Sequence, residues 1–178
     1  MVYLKDLDFK GCRACMACNL KNGKSLGRCI QKDDLKEVLN SVHDADALVL
    51  GSPIYWHDVT GLMRLFIERL LFQYLNYDDA NSPLSSPKRT AMVYTMNAPE
   101  EYHDEMKYDD LIFNKYENLM KEYFGDCTTL YTTQTLFVKN YQKYHLEVFD
   151  EEFIKQRHET VFPKVRKKSY ELGTNLVK

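Results

Sequence analysis

The sequence predicts an α/β fold built on a parallel sheet. Two apolar runs, Ala47-Leu48-Val49-Leu50 and Thr90-Ala91-Met92-Val93-Tyr94-Thr95-Met96, have the length of buried strands. Each stops at a turn signal, Gly51 with Pro53 in the first and Asn97 with Pro99 in the second. Stretches with apolar residues at helical spacing lie before, between and after them. Strands that alternate with helices join by right-handed crossovers onto a parallel sheet. No internal repeat or linker interrupts the 178 residues, so one domain over residues 1–178 is expected, with a cysteine-rich loop at about residues 11–30.

The elements follow in order. Residues 2–7 (Val-Tyr-Leu-Lys-Asp-Leu) are expected as a first strand, directly before the cysteine loop. Asp34-x-x-Glu37 resembles a capping box, and Leu35, Val38, Leu39 and Val42 continue it at helical spacing. The strand ending at Gly51 comes next, then a helix from about Thr60. Residues 76–88, with two prolines among Asp, Asn and Ser, form a loop. The strand at 90–96 precedes a helix from about Asp109, whose apolar face is Ile112, Tyr116, Leu119, Met120 and Tyr123, with Gly125 as its stop. Residues 128–138, rich in Thr, Tyr, Leu and Phe, read as a further strand, and Cys127 beside it as a small buried hydrophobe. A terminal helix starts near Asp150 and is interrupted or restarted at Pro163.

Composition narrows the function classes. With 44% hydrophobic and 28% charged residues the chain has enough apolar material for one sizeable core. A net charge of −2 gives no electrostatic basis for nucleic-acid or anionic-membrane binding. No apolar run approaches a membrane span, and residues 1–6 lack the apolar core of a signal peptide, which places the chain in the cytoplasm. Five cysteines in a cytoplasmic chain are not a disulfide framework and need another role.

The segment most charged with chemistry is Gly51-Ser52-Pro53-Ile54-Tyr55-Trp56, at the carboxyl end of a buried strand, where open parallel sheets bind ligands. Pro53 fixes its own φ and holds Ser52 extended, so the chain leaves the strand rigidly. Tyr55 and Trp56 offer flat faces on which an aromatic ligand can stack; the competing reading is that both plug the top of the core. Upstream, Cys12-x2-Cys15-x2-Cys18 is followed after ten residues by Cys29. Four thiols in this pattern suit one thiolate site, but spacing does not select among an iron-sulfur cluster, zinc and free thiols.

The wording from Ser52 through residues 59–70 (Val-Thr-Gly-Leu-Met-Arg-Leu-Phe-Ile-Glu-Arg-Leu) resembles the ring-binding loop and following helix of flavodoxin-like NAD(P)H-dependent FMN reductases, including the iron-sulfur flavoproteins. The cysteine pattern resembles the compact motif of the iron-sulfur flavoproteins, whose fourth cysteine usually follows after a shorter gap. The segments at 158–163 and 170–173 look like the closing helices of the same family. The resemblance implies a flavodoxin-like three-layer sandwich, amino-terminally truncated: residues 2–7 match the second strand, and the first strand with its phosphate-binding loop has no counterpart. It further implies FMN held by Ser52, Pro53, Ile54, Tyr55 and Trp56, with Asn97 bordering the ring, and Cys12, Cys15, Cys18 and Cys29 as the ligands of any cluster. FMN would be held chiefly by its ring and weakly. An unpaired strand edge where the first strand is lacking invites pairing with another chain, so a homodimer is expected.

Two function classes follow. In the first the chain is a flavoenzyme that takes hydride from NAD(P)H onto FMN and passes electrons to a small-molecule acceptor or an electron carrier, with any cluster as a relay. No general acid or base stands out, and His57 reads as a lone histidine facing solvent. In the second it is a non-catalytic flavodoxin-like remnant that has lost FMN and serves as an interaction or thiol/metal-binding module.

Overall fold

The computed structural model describes residues 1–79 and 83–178; part of the loop expected at 76–88 therefore lies outside the described residues. Helix α1 (Leu35–Asp44) leads into β1 (Ala47–Tyr55), a short β2 (Asp58–Val59) and α2 (Gly61–Phe72). Then come β3 (Arg89–Thr95), a one-turn helix α3 (Tyr102–Glu105), α4 (Asn114–Phe124), β4 (Thr128–Thr132), α5 (Glu151–Thr160) and α6 (Phe162–Leu176). The sheet order is β2-β1-β3-β4, with β1–β3 and β3–β4 parallel and β1–β2 an antiparallel hairpin. This is the expected α/β, flavodoxin-like arrangement.

Register fixes which residues meet. Leu50 pairs with Met92, Ser52 with Tyr94, and Tyr94 with Tyr131, so these side chains share one face. Phe113, just before α4, stacks on Tyr94 and Tyr131 with ring centroids 4.8 and 5.1 Å apart, placing α4 on that face. Leu35, Leu39, Met63, Leu70, Ile112, Tyr116 and Met120 complete the core there. Helix α6 covers the opposite face near β4, and Arg89 Nη1 donates to the Asn175 carbonyl. Beside β1 that second face is bare: Val49 is 54% exposed, although parallel strands are normally covered on both sides. Among the described residues the outer edge of β1 is paired only at Ile54 and Tyr55, by β2.

Four local expectations need correction. Residues 2–7 form no strand; Leu4–Asp6 is a single tight turn, and Leu4 with the following Leu7 packs partly against the core. A strand needs a ladder partner, and among the described residues it pairs with no strand of the sheet. Asp34 does not cap α1 with its side chain; its carboxylate accepts from the Asp8 amide at 2.8 Å and ties the amino-terminal segment to the helix instead. The strand expected over 128–138 ends at Thr132, because Gln134 takes a left-handed φ of 48° and turns the chain away. Residues expected to begin an α-helix at Asp109 form a wider turn, with the Asn114 amide bonded to the Asp109 carbonyl five residues back, which buries Ile112 and Phe113 side by side.

Other signals hold. Gly125, at φ 90°, stops α4 in the left-handed region where a side chain would be strained. Thr60 caps α2, accepting from the Met63 amide at 3.3 Å. Pro163 sits in the first turn of α6, where its missing N–H costs nothing.

Candidate functional site

The segment expected as a loop after the strand is a hairpin. β1 runs on through Tyr55, and the pair Tyr55↔Asp58 leaves only Trp56 and His57 to turn the chain. Both take positive φ, 49° and 63°, the geometry of a two-residue primed turn that Asn-Gly would adopt without strain. Two non-glycine residues there cost roughly 1–2 kcal/mol each. Trp56 is 95% exposed and Tyr55 is 62% exposed, so neither plugs the core. Ser52 and Ile54 face inward. The Ser52 hydroxyl is spent inside the protein, donating to the Pro53 carbonyl at 2.8 Å and accepting from the Thr60 amide at 3.1 Å.

The strained turn is held from beneath. The Asp58 carboxylate accepts from its neighbour's amide at Val59 (2.8 Å), from Tyr116 Oη (2.7 Å) and from Lys115 Nζ (3.1 Å). Burial alone raises the Asp58 pKa, but these bonds outweigh it and hold the group below the usual carboxylate range. Burial, followed by the bond to Asp58, pushes the Tyr116 phenol up to about 12. His57 is exposed yet has a partner, since its Nδ1 lies 2.8 Å from the buried Tyr108 hydroxyl. Tyr108 packs edge-on against buried His103, which stacks on Tyr131 at 4.5 Å. No local pattern marks Tyr108, His103, Lys115 or Tyr116 as a site residue, because each lies dozens of residues from the hairpin.

The hairpin suits the ring of a flavin. A flavin ring needs flat apolar cover and polar groups at its rim; Tyr55 and Trp56 supply the cover. Pro53 pairs with Thr95, the last pair of β1 with β3, and Asn97 follows two residues beyond it. Its Oδ1 is buried without a partner, an acceptor that a ring N–H would satisfy.

Cys12, Cys15, Cys18 and Cys29 line one cleft together with Arg69 and Gln73. Gly11 lets the loop reach α2, since a Cβ there would come within 2.8 Å of Leu65 Cδ2. The thiols are engaged separately. Cys12 Sγ accepts from the Ala14 amide (3.4 Å), Cys18 Sγ faces the Phe72 carbonyl (3.8 Å), and Cys29 Sγ accepts from Arg69 Nη2 (3.4 Å). Burial pushes the Cys18 thiol up. Among the described residues no three His, Cys, Asp or Glu side chains are placed to hold a metal ion, so the four expected ligands share a cleft without forming a metal site. Buried Arg69 also bonds Asp33 and the Lys10 carbonyl, while its Nε and Gln73 Nε2 lack partners. Cys127 is buried beside β4, as expected of a small hydrophobe.

Comparison with known proteins bears on both features. A family model described as NADPH-dependent FMN reductase matches residues 1–98, which take in the cysteine loop, the hairpin and Asn97. An iron-sulfur flavoprotein of Archaeoglobus fulgidus is 44% identical over 69 residues, 39% of this chain and 31% of the relative. A second from the same organism is 36% identical over 70 residues, 39% of this chain and 30% of the relative. One from Methanocaldococcus jannaschii is 31% identical over 68 residues, 38% of this chain and 33% of the relative. The chain thus aligns with about a third of the length of these curated relatives. Among the described residues no helix is long and apolar enough to cross a membrane.

Proposed function

The chain belongs to the NADPH-dependent FMN reductase family, and from that premise we propose that it is an FMN-dependent oxidoreductase whose flavin ring rests on the Tyr55–Trp56 hairpin. The observation that carries the proposal is Trp56, a large aromatic held almost fully exposed on a strained turn at the carboxyl end of a parallel sheet. When bound, FMN supplies hydride acceptance from a reduced nicotinamide and electron delivery onward. The chain's own residues bind and orient: Tyr55 and Trp56 cover a ring face and exclude water, and Asn97 Oδ1 accepts from the ring's rim. The donor in this reading is NADPH or NADH, and the acceptor is a small molecule or an electron carrier. A second copy of the chain would cover the bare edge of β1, which sedimentation velocity reads directly.

Trp56 is the one tryptophan in the sequence, so FMN binding should quench most of the protein's intrinsic emission. The test is a titration with FMN followed by anaerobic addition of NADPH. Quenching with bleaching of the flavin absorbance supports the proposal; unquenched emission at hundreds of micromolar FMN refutes it. The cysteine cleft supports a second, non-catalytic role as an interaction or thiol/metal-binding module, because it gathers four free cysteines on one surface. Under that reading the titration is flat and thiol reagents are taken up at the cleft.

A further inference from the structure

His57 sits at the tip of the hairpin with a φ of 63°, where Asn or Gly would be the unstrained choice. Strained residues of this kind gather at functional sites. The His57 ring is exposed, yet its Nδ1 lies 2.8 Å from the hydroxyl of buried Tyr108. Burial pushes the Tyr108 phenol up, so the hydroxyl keeps its hydrogen, and among the described residues His57 is its one hydrogen-bond partner. Tyr108 therefore donates and Nδ1 accepts, which fixes the neutral imidazole as the tautomer with its proton on Nε2. Tyr108 is itself held: it packs edge-on against His103 at 5.7 Å, and His103 packs on Phe113 and Tyr131 with ring centroids 4.9 and 4.5 Å away. The adjoining Asp58 carboxylate is engaged by Tyr116 and Lys115, which leaves His57 to Tyr108. Nε2 points away from Tyr108 and has no partner among the described residues.

We propose that His57 is a catalytic residue, whose Nε2–H holds the carbonyl oxygen of a quinone-type electron acceptor while negative charge builds on that oxygen. A preorganised donor aimed at developing charge lowers a barrier without giving up its proton, and a neutral imidazole serves in that way. The acceptor's class follows from the donor. One uncharged N–H beside the flat faces of Tyr55 and Trp56 suits a flat, uncharged molecule with an oxygen at its rim, whereas an anionic acceptor calls for a fixed cation, and Lys115 Nζ is already engaged by Asp58. His57 follows Trp56 in the turn, so an acceptor that meets a ring resting on Trp56 comes within its reach. The reaction balances without a proton from His57: NADPH gives up a hydride and leaves as NADP+, and the quinone gains that hydride and one proton from water to become a hydroquinone. Tyr108 is a positioning residue, acting through His57. The inference rests on the flavin reading.

The experiment starts with the flavin-free protein, labelled with 15N-histidine and observed by NMR at alkaline pH, where imidazoles are neutral. The signal that disappears in His57→Gln belongs to His57. It should show the Nε2–H tautomer alone, and Tyr108→Phe should convert it to a mixture; a wild type with its proton on Nδ1, or already mixed, overturns the geometry. The FMN-loaded protein is then driven with NADPH against two acceptors, benzoquinone and ferricyanide, of which only the first has a carbonyl oxygen. His57→Gly, unstrained at this φ, should lower the ratio of kcat for benzoquinone to kcat for ferricyanide about ten- to a hundredfold. His57→Gln places an amide N–H near the position of Nε2 and should restore the ratio to within about threefold of wild type. A ratio unmoved by His57→Gly overturns the contact with the acceptor, and so does a larger loss in FMN affinity than in the ratio, which would assign His57 to the flavin. A His57→Gln protein no better than His57→Gly overturns the hydrogen-bond role. Failure of the flavin reading shows separately, as absent quenching of Trp56 by FMN, and it removes the acceptor assignment while the tautomer is still read in the flavin-free protein.

Discussion

Replacing Trp56 with Asn should move stability and ligand binding in opposite directions. Trp56 is 95% exposed, so its removal forfeits almost no buried surface, and surface changes of that kind stay within about 0.5 kcal/mol. Its φ of 49°, however, is a conformation that Asn adopts readily at the first position of a primed turn. Relief of that strain is worth roughly 1 kcal/mol. A chain of 178 residues gains about 2–4 °C in melting temperature per kcal/mol, so Trp56→Asn should melt at or a few degrees above the wild type. Flavin affinity should fall, because loss of a stacked ring removes about 1–3 kcal/mol, or roughly fivefold to 150-fold. Thermal unfolding followed by circular dichroism gives the first quantity, and quenching of flavin fluorescence gives the second. A melting temperature several degrees lower would mean that Trp56 packs against the protein after all. An unchanged flavin dissociation constant would remove Trp56 from the site.

Tyr108→Phe keeps the packing of that ring and deletes the hydroxyl that meets His57 Nδ1; Trp56 anisotropy in the flavin-free protein should drop and flavin affinity should fall about three- to tenfold, whereas anisotropy equal to wild type would show that the contact does not hold the turn. Because the folded Asp58 pKa is depressed, its carboxylate stabilises the protein at pH values above its ordinary 3.8 and loses that contribution as the pH falls below it. Trp56 emission should therefore report loosening of the hairpin on acidification, and an Asp58→Asn protein showing the same acid transition would contradict the assignment. For the cysteines, elemental analysis of aerobically purified protein should find neither iron nor zinc near one per chain, with Cys15→Ser no different, since among the described residues no three cysteines are placed to hold a metal ion. Iron with acid-labile sulfide at one cluster per chain would overturn this.

The sequence by itself determined the parts whose causes are local. Apolar runs with turn signals at their ends marked β1 and β3, Thr60 marked the start of α2, Gly125 the end of α4, and Pro163 the restart at α6; each depends on neighbours within a turn or two. The wording of residues 52–70 and the cysteine spacing pointed to the family that the match over residues 1–98 shows. Tertiary structure decided what depends on distant partners. Whether residues 2–7 form a strand depends on a ladder partner, and among the described residues they have none. Whether Trp56 is core or surface depends on a two-residue turn whose clamps come from Tyr108 and Tyr116, more than fifty residues on. Four cysteines share a cleft, but the sulfurs of Cys12, Cys18 and Cys29 take different partners, and spacing along the chain carries no record of where those partners lie. A cleft after β4 joins residues 133–135 to 157 and 158, which meet only because α5 folds back against the sheet.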